Sequence, residues 1–339
     1  MSAHVLLAYA LCGPDRGKCL TRDDDIAGAL RAPAAAWLHL RADHPDTSSW
    51  ITDHLTFLDV PIRAALQAPE TRPRVTRIGD GTILILRGLN AERGGIAANM
   101  VSLRLWIAEE GIVSLARRTL PEVVAVADVI ETGRGPDRVG DFTVSLIDRI
   151  TTSVEAHVEA LDDRVDEIEA VIIDGPDPEL RAEIADLRRD CSLLRRYLWP
   201  QRDAIAGLSR TGVDWLTPPD LRHLDEAHDR MMRTVEVVES MRERLNVVRE
   251  ELTNEMSERL NRNLYILSMV SALFLPLSFL TGLMGINLAG MPGTDWPPAF
   301  WVFCIFLAVM AALVGGALAW LNRQAKRERG GLFGRPPKV

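Results

Sequence analysis

Between Glu236 and Gly285 the chain places acidic, amide, hydroxyl and small residues at alternating steps of four and three. The series runs Glu236, Ser240, Glu243, Val247, Glu250, Asn254, Ser257, Asn261, Leu264, Ser268, Ser271, Leu275, Ser278, Gly282, Gly285. That spacing keeps residues on one seam of a left-handed supercoiled helix. Carboxylate, amide and hydroxyl oxygens are hard donors, suited to a divalent cation or to the waters around it. Two readings are open. Small and hydroxylated residues also mediate packing between membrane helices. If several copies surround one axis, each position instead becomes a ring: Glu243 and Glu250 gather cations, the serines and Asn261 line a path, and Leu264 and Leu275 form apolar constrictions. The acids have their own second reading, a solvated face offset by Arg242, Arg244 and Arg249. One helix encloses no pore, so the ring reading requires an oligomer.

Two apolar segments must position this seam. Leu264–Gly285 and Phe300–Leu321 each reach the roughly 20 residues needed to cross a hydrocarbon core, and Asp295 is the only charged residue from Leu264 to Leu321. Two spans leave both termini on one side. Arg259 and Arg262 precede the first span, and Arg323, Lys326, Arg327 and Arg329 follow the second, while Ile286 to Ala299 has no Lys or Arg. Both ends are therefore expected in the cytoplasm. Trp296, Trp301 and Trp320 fall near the expected interfaces. Spans that serve only as an anchor for a sensor or scaffold are the alternative from another class.

The segment Gly282-Leu283-Met284-Gly285-Ile286-Asn287 closes the first span with an amide where the chain turns toward water. Such an amide either caps the helix or offers a neutral oxygen to a hydrated cation. Pro276-Leu277-Ser278-Phe279-Leu280-Thr281-Gly282 followed by Gly285-Ile286-Asn287 resembles the end of the first transmembrane helix in the two-span Gly-x-Asn superfamily of CorA magnesium channels and ZntB zinc transporters. The resemblance takes in the second span, the short loop and the basic tail. CorA proteins typically carry Tyr-Gly-Met-Asn and a Met-Pro-Glu-Leu loop. Here Met284-Gly285-Ile286-Asn287 and Met291-Pro292-Gly293 stand instead, and with Trp37-Leu38-His39-Leu40 they are similar to the ZntB branch. The loop glutamate is missing, which leaves Asp295 as the loop carboxylate.

The resemblance implies an inner-membrane homopentamer with Asn287 at the outer mouth, the first span lining the pore, and Zn2+ as the transported cation. A CorA-type channel for Mg2+, Co2+ or Ni2+ is the alternative. No His or Cys lies on the seam, although zinc favours nitrogen and sulfur ligands. The residues alone therefore say only divalent cation, and proton coupling is left open.

Ahead of the spans, residues 1–140 alternate apolar runs with turn signals, at Val5–Ala8, Trp37–Leu40, Ile83–Leu86, Leu103–Ile107 and Ile112–Leu115, with helical stretches near Thr47–Leu58 and Pro121–Glu131. They read as an α/β domain with a mainly β centre. Residues 141–263 turn to a helical period. Ile147 to Ile172 and Leu180 to Leu198 form a hairpin across Asp174-Gly175-Pro176-Asp177-Pro178. A stalk helix then starts at Pro218-Pro219-Asp220 and runs on to Gly285, about 100 Å at the usual rise. Its apolar stripe is Leu221, Leu224, Met231, Val235, Val238, Leu245 and Leu252. Residues 264–321 form the two-helix membrane domain and 322–339 a basic tail.

A formal net charge of -8 disfavours a nucleic-acid binder. Cys12, Cys19, Cys191 and Cys304 form neither a disulfide framework nor a zinc finger, which fits a reducing compartment. The Gly13–Cys19 segment is one residue short of a phosphate loop. No catalytic constellation stands out, so the chain is expected to be neither an enzyme nor dependent on a cofactor. His39, Asp43 and His44 are candidate metal contacts with a structural role as the plainer reading, and Asp23-Asp24-Asp25 is expected as a solvated turn.

Overall fold

The computed structural model describes residues 3–33, 35–69, 71–91, 98–171, 178–286 and 296–332. Branched and aromatic residues at period two give six strands: β1 (Val5–Ala10), β2 (Ala36–Arg41), β3 (Arg74–Ile78), β4 (Gly81–Gly88), β5 (Val101–Ala108) and β6 (Gly111–Ala116). They pair in the order β1-β2-β6-β5-β4-β3, with β2 and β6 parallel and the other neighbours antiparallel. The five expected apolar runs all lie in strands. β3 is an addition. Two of the five residues in its Arg-Val-Thr-Arg-Ile sequence are charged, as suits an edge strand. A tight turn at Gly79 (φ +60°) folds it onto β4.

One face of the sheet packs Leu38, Leu40, Ile83, Ile85, Val113 and Leu115 against Ile26 of α1 (Asp23–Ala29), Ile51 of α2 (Thr47–His54) and Ile62 and Leu66 of α3 (Val60–Gln67). Asp23, Asp24 and Asp25 occupy the first turn of α1 rather than a free turn, where acids complement the positive end of the helix dipole. Across the sheet, the Trp37 ring meets Phe142 at 4.8 Å between centroids.

Helix α4 (Pro121–Glu131) leads to α5 (Val139–Val171), which carries Phe142; α6 (Pro178–Ser209) follows. Gly207 of α6 lets that helix approach β3, because a Cβ there would lie 2.6 Å from Val75 Cγ1. The expected hairpin turn at 174–177 lies outside the described residues.

Helix α7 (Pro218–Met284) is continuous through Pro276, and α8 is Ala299–Leu332. A hydrogen-bond network fixes the start of α7: Asp220 Oδ2 accepts hydrogen bonds from Thr217 N at 2.8 Å and Thr217 Oγ1 at 2.6 Å, while Arg138 of the α4–α5 junction donates to both carboxylate oxygens. Gly140 leaves room for it, since a Cβ there would sit 2.7 Å from Asp220 Oδ2. Burial alone would raise the Asp220 pKa, but the hydrogen bonds from Arg138 and Thr217, with the Arg138 charge, pull it below the usual carboxylate value. By contacts the chain divides into residues 1–250 and 251–339.

Candidate functional site

Within residues 1–250, α7 has two unlike faces. Leu224, Met231, Val235, Val238, Met241, Leu245 and Val248 are buried; Leu221 of the expected stripe is only partly so. Burying this stripe against the neighbouring helices is what holds α7 to the domain. Glu236, Ser240, Glu243, Val247 and Glu250 lie on the exposed side, and Val247 is 60% exposed. An apolar residue that open on an otherwise buried helix marks a face with no intramolecular cover.

Arg230, Arg242 and Arg244 of α7 turn to partners other than Glu243 and Glu250. Arg230 donates to Asp148 at 2.6 Å, Glu155 at 2.6 Å and Thr152 at 2.7 Å of α5. Two heptads later Arg244 repeats the pattern on Asp162 at 2.9 Å, Glu169 at 2.8 Å and Asp166. Both sets of partners on α5 follow the i, i+4, i+7 spacing of one helical face. Arg242 turns to Glu239 at 3.0 Å. Among the described residues, Glu243 and Glu250 therefore make no ion pair or hydrogen bond with a side chain. Of the three arginines expected to offset them, Arg242 and Arg244 are engaged elsewhere.

From Glu251 to Ile286 nearly every residue of α7 is exposed in the single chain. The seam positions Asn261, Leu264, Ser268, Ser271, Leu275, Ser278, Gly282 and Gly285 are all exposed, with Leu275 at 74%. Ser271 Oγ donates to Leu267 O at 2.9 Å and Ser257 Oγ to Thr253 O at 3.0 Å. With its proton directed into the helix, each hydroxyl has lone pairs left to offer, the polarity a cation or its water shell requires. Asn287 and Asp295 lie outside the described residues. By length and composition α7 and Ala299–Ala317 both qualify as membrane-spanning, with mean hydropathy of 2.0 and 2.4 over their most apolar windows.

Residues 34–324 match the CorA-like Mg2+ transporter protein family. The chain belongs to that family. A zinc transport protein ZntB from Pectobacterium atrosepticum is 34% identical to this CorA-like chain over 287 residues, which are 85% of the chain and 86% of the relative. The solved full-length CmaX protein is 30% identical and aligns with a TM-score of 0.79 over 96% of this chain and 99% of its own. The CorA magnesium transporter of Methanocaldococcus jannaschii aligns at 0.75 over 94% and 98%, and at 17% identity it testifies to the fold alone.

His39 and His44 of this CorA-like chain stand in different surroundings. His39 is buried, its Nδ1 2.8 Å from Ser114 Oγ, which also accepts from Trp37 Nε1 at 2.8 Å. Burial pushes its pKa down to about 4, so it is neutral and structural. His44 instead joins His4 and Asp46, with one donor atom from each within 4.8 Å of the others. Asp43 lies apart from this cluster, 3.8 Å from Arg41 Nε. His4 Nε2 is buried without a hydrogen-bond partner, and the two nitrogens and one oxygen form a donor set that Zn2+ accepts. Sequence spacing hid His4. Antiparallel pairing of β1 with β2 sets Val5 opposite Leu40 and so brings His4 to the loop after β2.

Proposed function

We propose that this protein carries divalent cations across a membrane, with Zn2+ as its principal cargo, through a pore that several copies build around the open face of α7. The observation that carries the reading is the single seam of Glu243, Glu250, Asn261, Ser268, Ser271 and Ser278, which is exposed along the helix and, among the described residues, without ion pairs at Glu243 and Glu250. A pentamer, which the resemblance to the Gly-x-Asn superfamily implies, would turn each seam position into a ring of five. Both termini lie in the cytoplasm of an inner-membrane protein, as the Lys and Arg distribution around the spans directs.

The acidic rings at Glu243 and Glu250 lower the potential at the cytoplasmic mouth and raise the local cation concentration. Between them and the outer side, hydroxyl and amide oxygens replace bulk water as partners of the ion's hydration shell. They are neutral and many, so binding is weak enough at each level for release. Leu264 and Leu275 rings narrow this path with apolar side chains, which gate by excluding water. Asn287 serves as the outer-mouth amide, and Asp295 supplies the loop carboxylate near it. Zn2+ crosses with at least part of its water shell, since the seam offers no nitrogen or sulfur ligand. The zinc transport relative at 34% identity favours Zn2+ over Mg2+.

Metal flux into proteoliposomes tests this reading, with Zn2+ and Mg2+ compared for wild type and Asn287→Ala, with and without a pH gradient. The expected result is Zn2+-preferring flux that the variant loses. Flux dominated by Mg2+ would make the protein a CorA-type channel, and no flux from folded oligomers would leave an anchored sensor or scaffold. A response to the gradient would place a proton in the cycle. The spans carry no carboxylate or histidine, so that proton would have to use Asp295, the acidic rings or the ion's own waters.

A further inference from the structure

Residues 1–250 contain a cavity of about 550 Å³ whose described lining includes Arg72, Arg87, Arg104, Arg117, Arg118 and Arg196 and no carboxylate. Arg104 stands on β5 between the apolar neighbours Ile85 of β4 and Leu115 of β6 and is 1% exposed. Its Nε is buried with no hydrogen-bond partner. Among the described residues Arg72, Arg104, Arg117 and Arg196 form no ion pair. Burial, then repulsion from Arg117 and Arg87, pushes the Arg104 pKa down to about 10, which still leaves the guanidinium charged at neutral pH.

A buried cation held by neighbours of its own sign is unfavourable unless an anion completes the site. The surrounding geometry is built. Arg87 donates to Met100 O at 2.8 Å and Thr71 O at 2.6 Å, its backbone N–H donates to Gln201 Oε1 at 2.6 Å, and its guanidinium stacks 4.2 Å from the Tyr197 ring. β4, the backbone at Thr71 and Met100, and α6 are thereby fixed around the cavity. Planar guanidinium groups pair two-pronged with phosphate oxygens, and this is the chemistry for which several arginines in one pocket are suited. Arg72, Arg104, Arg117 and Arg196 alone carry four positive charges, more than a single phosphate would match. The volume lies in the range of small-molecule sites.

We infer that this cavity binds a compact anion carrying two or more phosphate groups, of the pyrophosphate or nucleoside polyphosphate class. The site lies within residues 1–250, apart from the seam of α7, and does not depend on which cation the protein carries.

The test uses the full-length protein in detergent, in a metal-free buffer with chelator, so that metal–phosphate complexes do not contribute. Thermal unfolding and titration calorimetry are followed with inorganic pyrophosphate, ATP, orthophosphate and sodium chloride at matched ionic strength. Pyrophosphate or ATP is expected to raise the melting temperature and to bind at least tenfold more tightly than orthophosphate, and the stronger of the two decides between an inorganic and a nucleotide ligand. Arg104→Met is expected to raise the melting temperature of the ligand-free protein and to weaken binding at least tenfold. A structural arginine would give the opposite sign for the first effect. Arg117→Ala, at an exposed position, is expected to weaken binding while leaving the ligand-free melt unchanged. Pyrophosphate and ATP acting no more strongly than sodium chloride would overturn the inference, as would undiminished binding in Arg117→Ala.

Discussion

The two faces of α7 are made from the same residue types and put to opposite uses. On one, Arg230 and Arg244 are each held by three side chains of α5 and flank a buried apolar stripe. On the other, Glu243 and Glu250 have no side-chain partner among the described residues and flank an exposed Val247. A helix that needed only to support a domain would pair its charges or dilute them. Keeping acids unneutralised on one side while the opposite side is fully engaged leaves that side free for an external partner, which in the present account is a ring of equivalent helices and the cation between them.

Substitutions on the two faces should diverge most where a charge is introduced. Leu245→Asp places an unpaired carboxylate in the buried stripe and is expected to destabilise residues 1–250 by roughly 3–5 kcal/mol, measured by denaturant unfolding. Ser240→Asp, a similar change on the open face, should stay within about 0.5 kcal/mol in the monomer. Equal losses at the two positions would dissolve the distinction between the faces.

Next in size is the anchor of the helix start. Asp220→Ala removes the acceptor of Thr217 and Arg138 and is expected to cost about 2 kcal/mol. Because its folded pKa lies below its unfolded value, Asp220 contributes stability that is present above about pH 4 and lost as pH falls through the depressed value. Wild type should therefore lose more stability on acidification below that point than Asp220→Asn, as read by unfolding at a series of pH values.

Arg244→Ala is smaller still. Its partners are partly exposed and water screens them, so about 1 kcal/mol is expected, mainly from leaving Asp162, Asp166 and Glu169 together without a cation. Smallest in stability are Glu243→Gln and Glu250→Gln, within about 0.5 kcal/mol. Their effect should appear in transport instead: a several-fold loss of cation flux at low ionic strength that shrinks as salt is raised. Loss of flux at these sites without loss of stability would sharpen the contrast; no change in either would remove the acids from the path.

Both faces of α7 were legible in the sequence, because each is a repeat: the four-three seam on one side and the apolar stripe on the other. The apolar strands were legible for the same reason. Charge hid the rest. β3 and α1 have few apolar residues, so periodicity is weak there, and the acids of α1 look like a turn until the helix dipole gives them a place. Of the site, the open seam follows from spacing. That Glu243 and Glu250 lack side-chain partners among the described residues needed the structure, since Arg244 of α7 and its partners on α5 are 75 to 82 residues apart. In the sequence Arg104 is one position of the apolar run Leu103–Ile107, and only the fold, with Arg72, Arg87, Arg117, Arg118 and Arg196 brought in from distant segments, sets it in the lining of a cavity. His4 and His44 meet by the same route.

The most direct test of the central claim is a single-cysteine scan along the first span, in membranes and in a background from which Cys12, Cys19, Cys191 and Cys304 have been replaced. Ser268→Cys, Ser271→Cys and Ser278→Cys are expected to react with a membrane-impermeant thiol reagent and to lose cation flux when modified, while Leu267→Cys, Phe274→Cys and Phe279→Cys stay inert. Reactivity that follows the four-three seam is the predicted result. Reactivity at Leu267, Phe274 and Phe279 with protection at the serines would put the seam inside a helix contact and contradict the account.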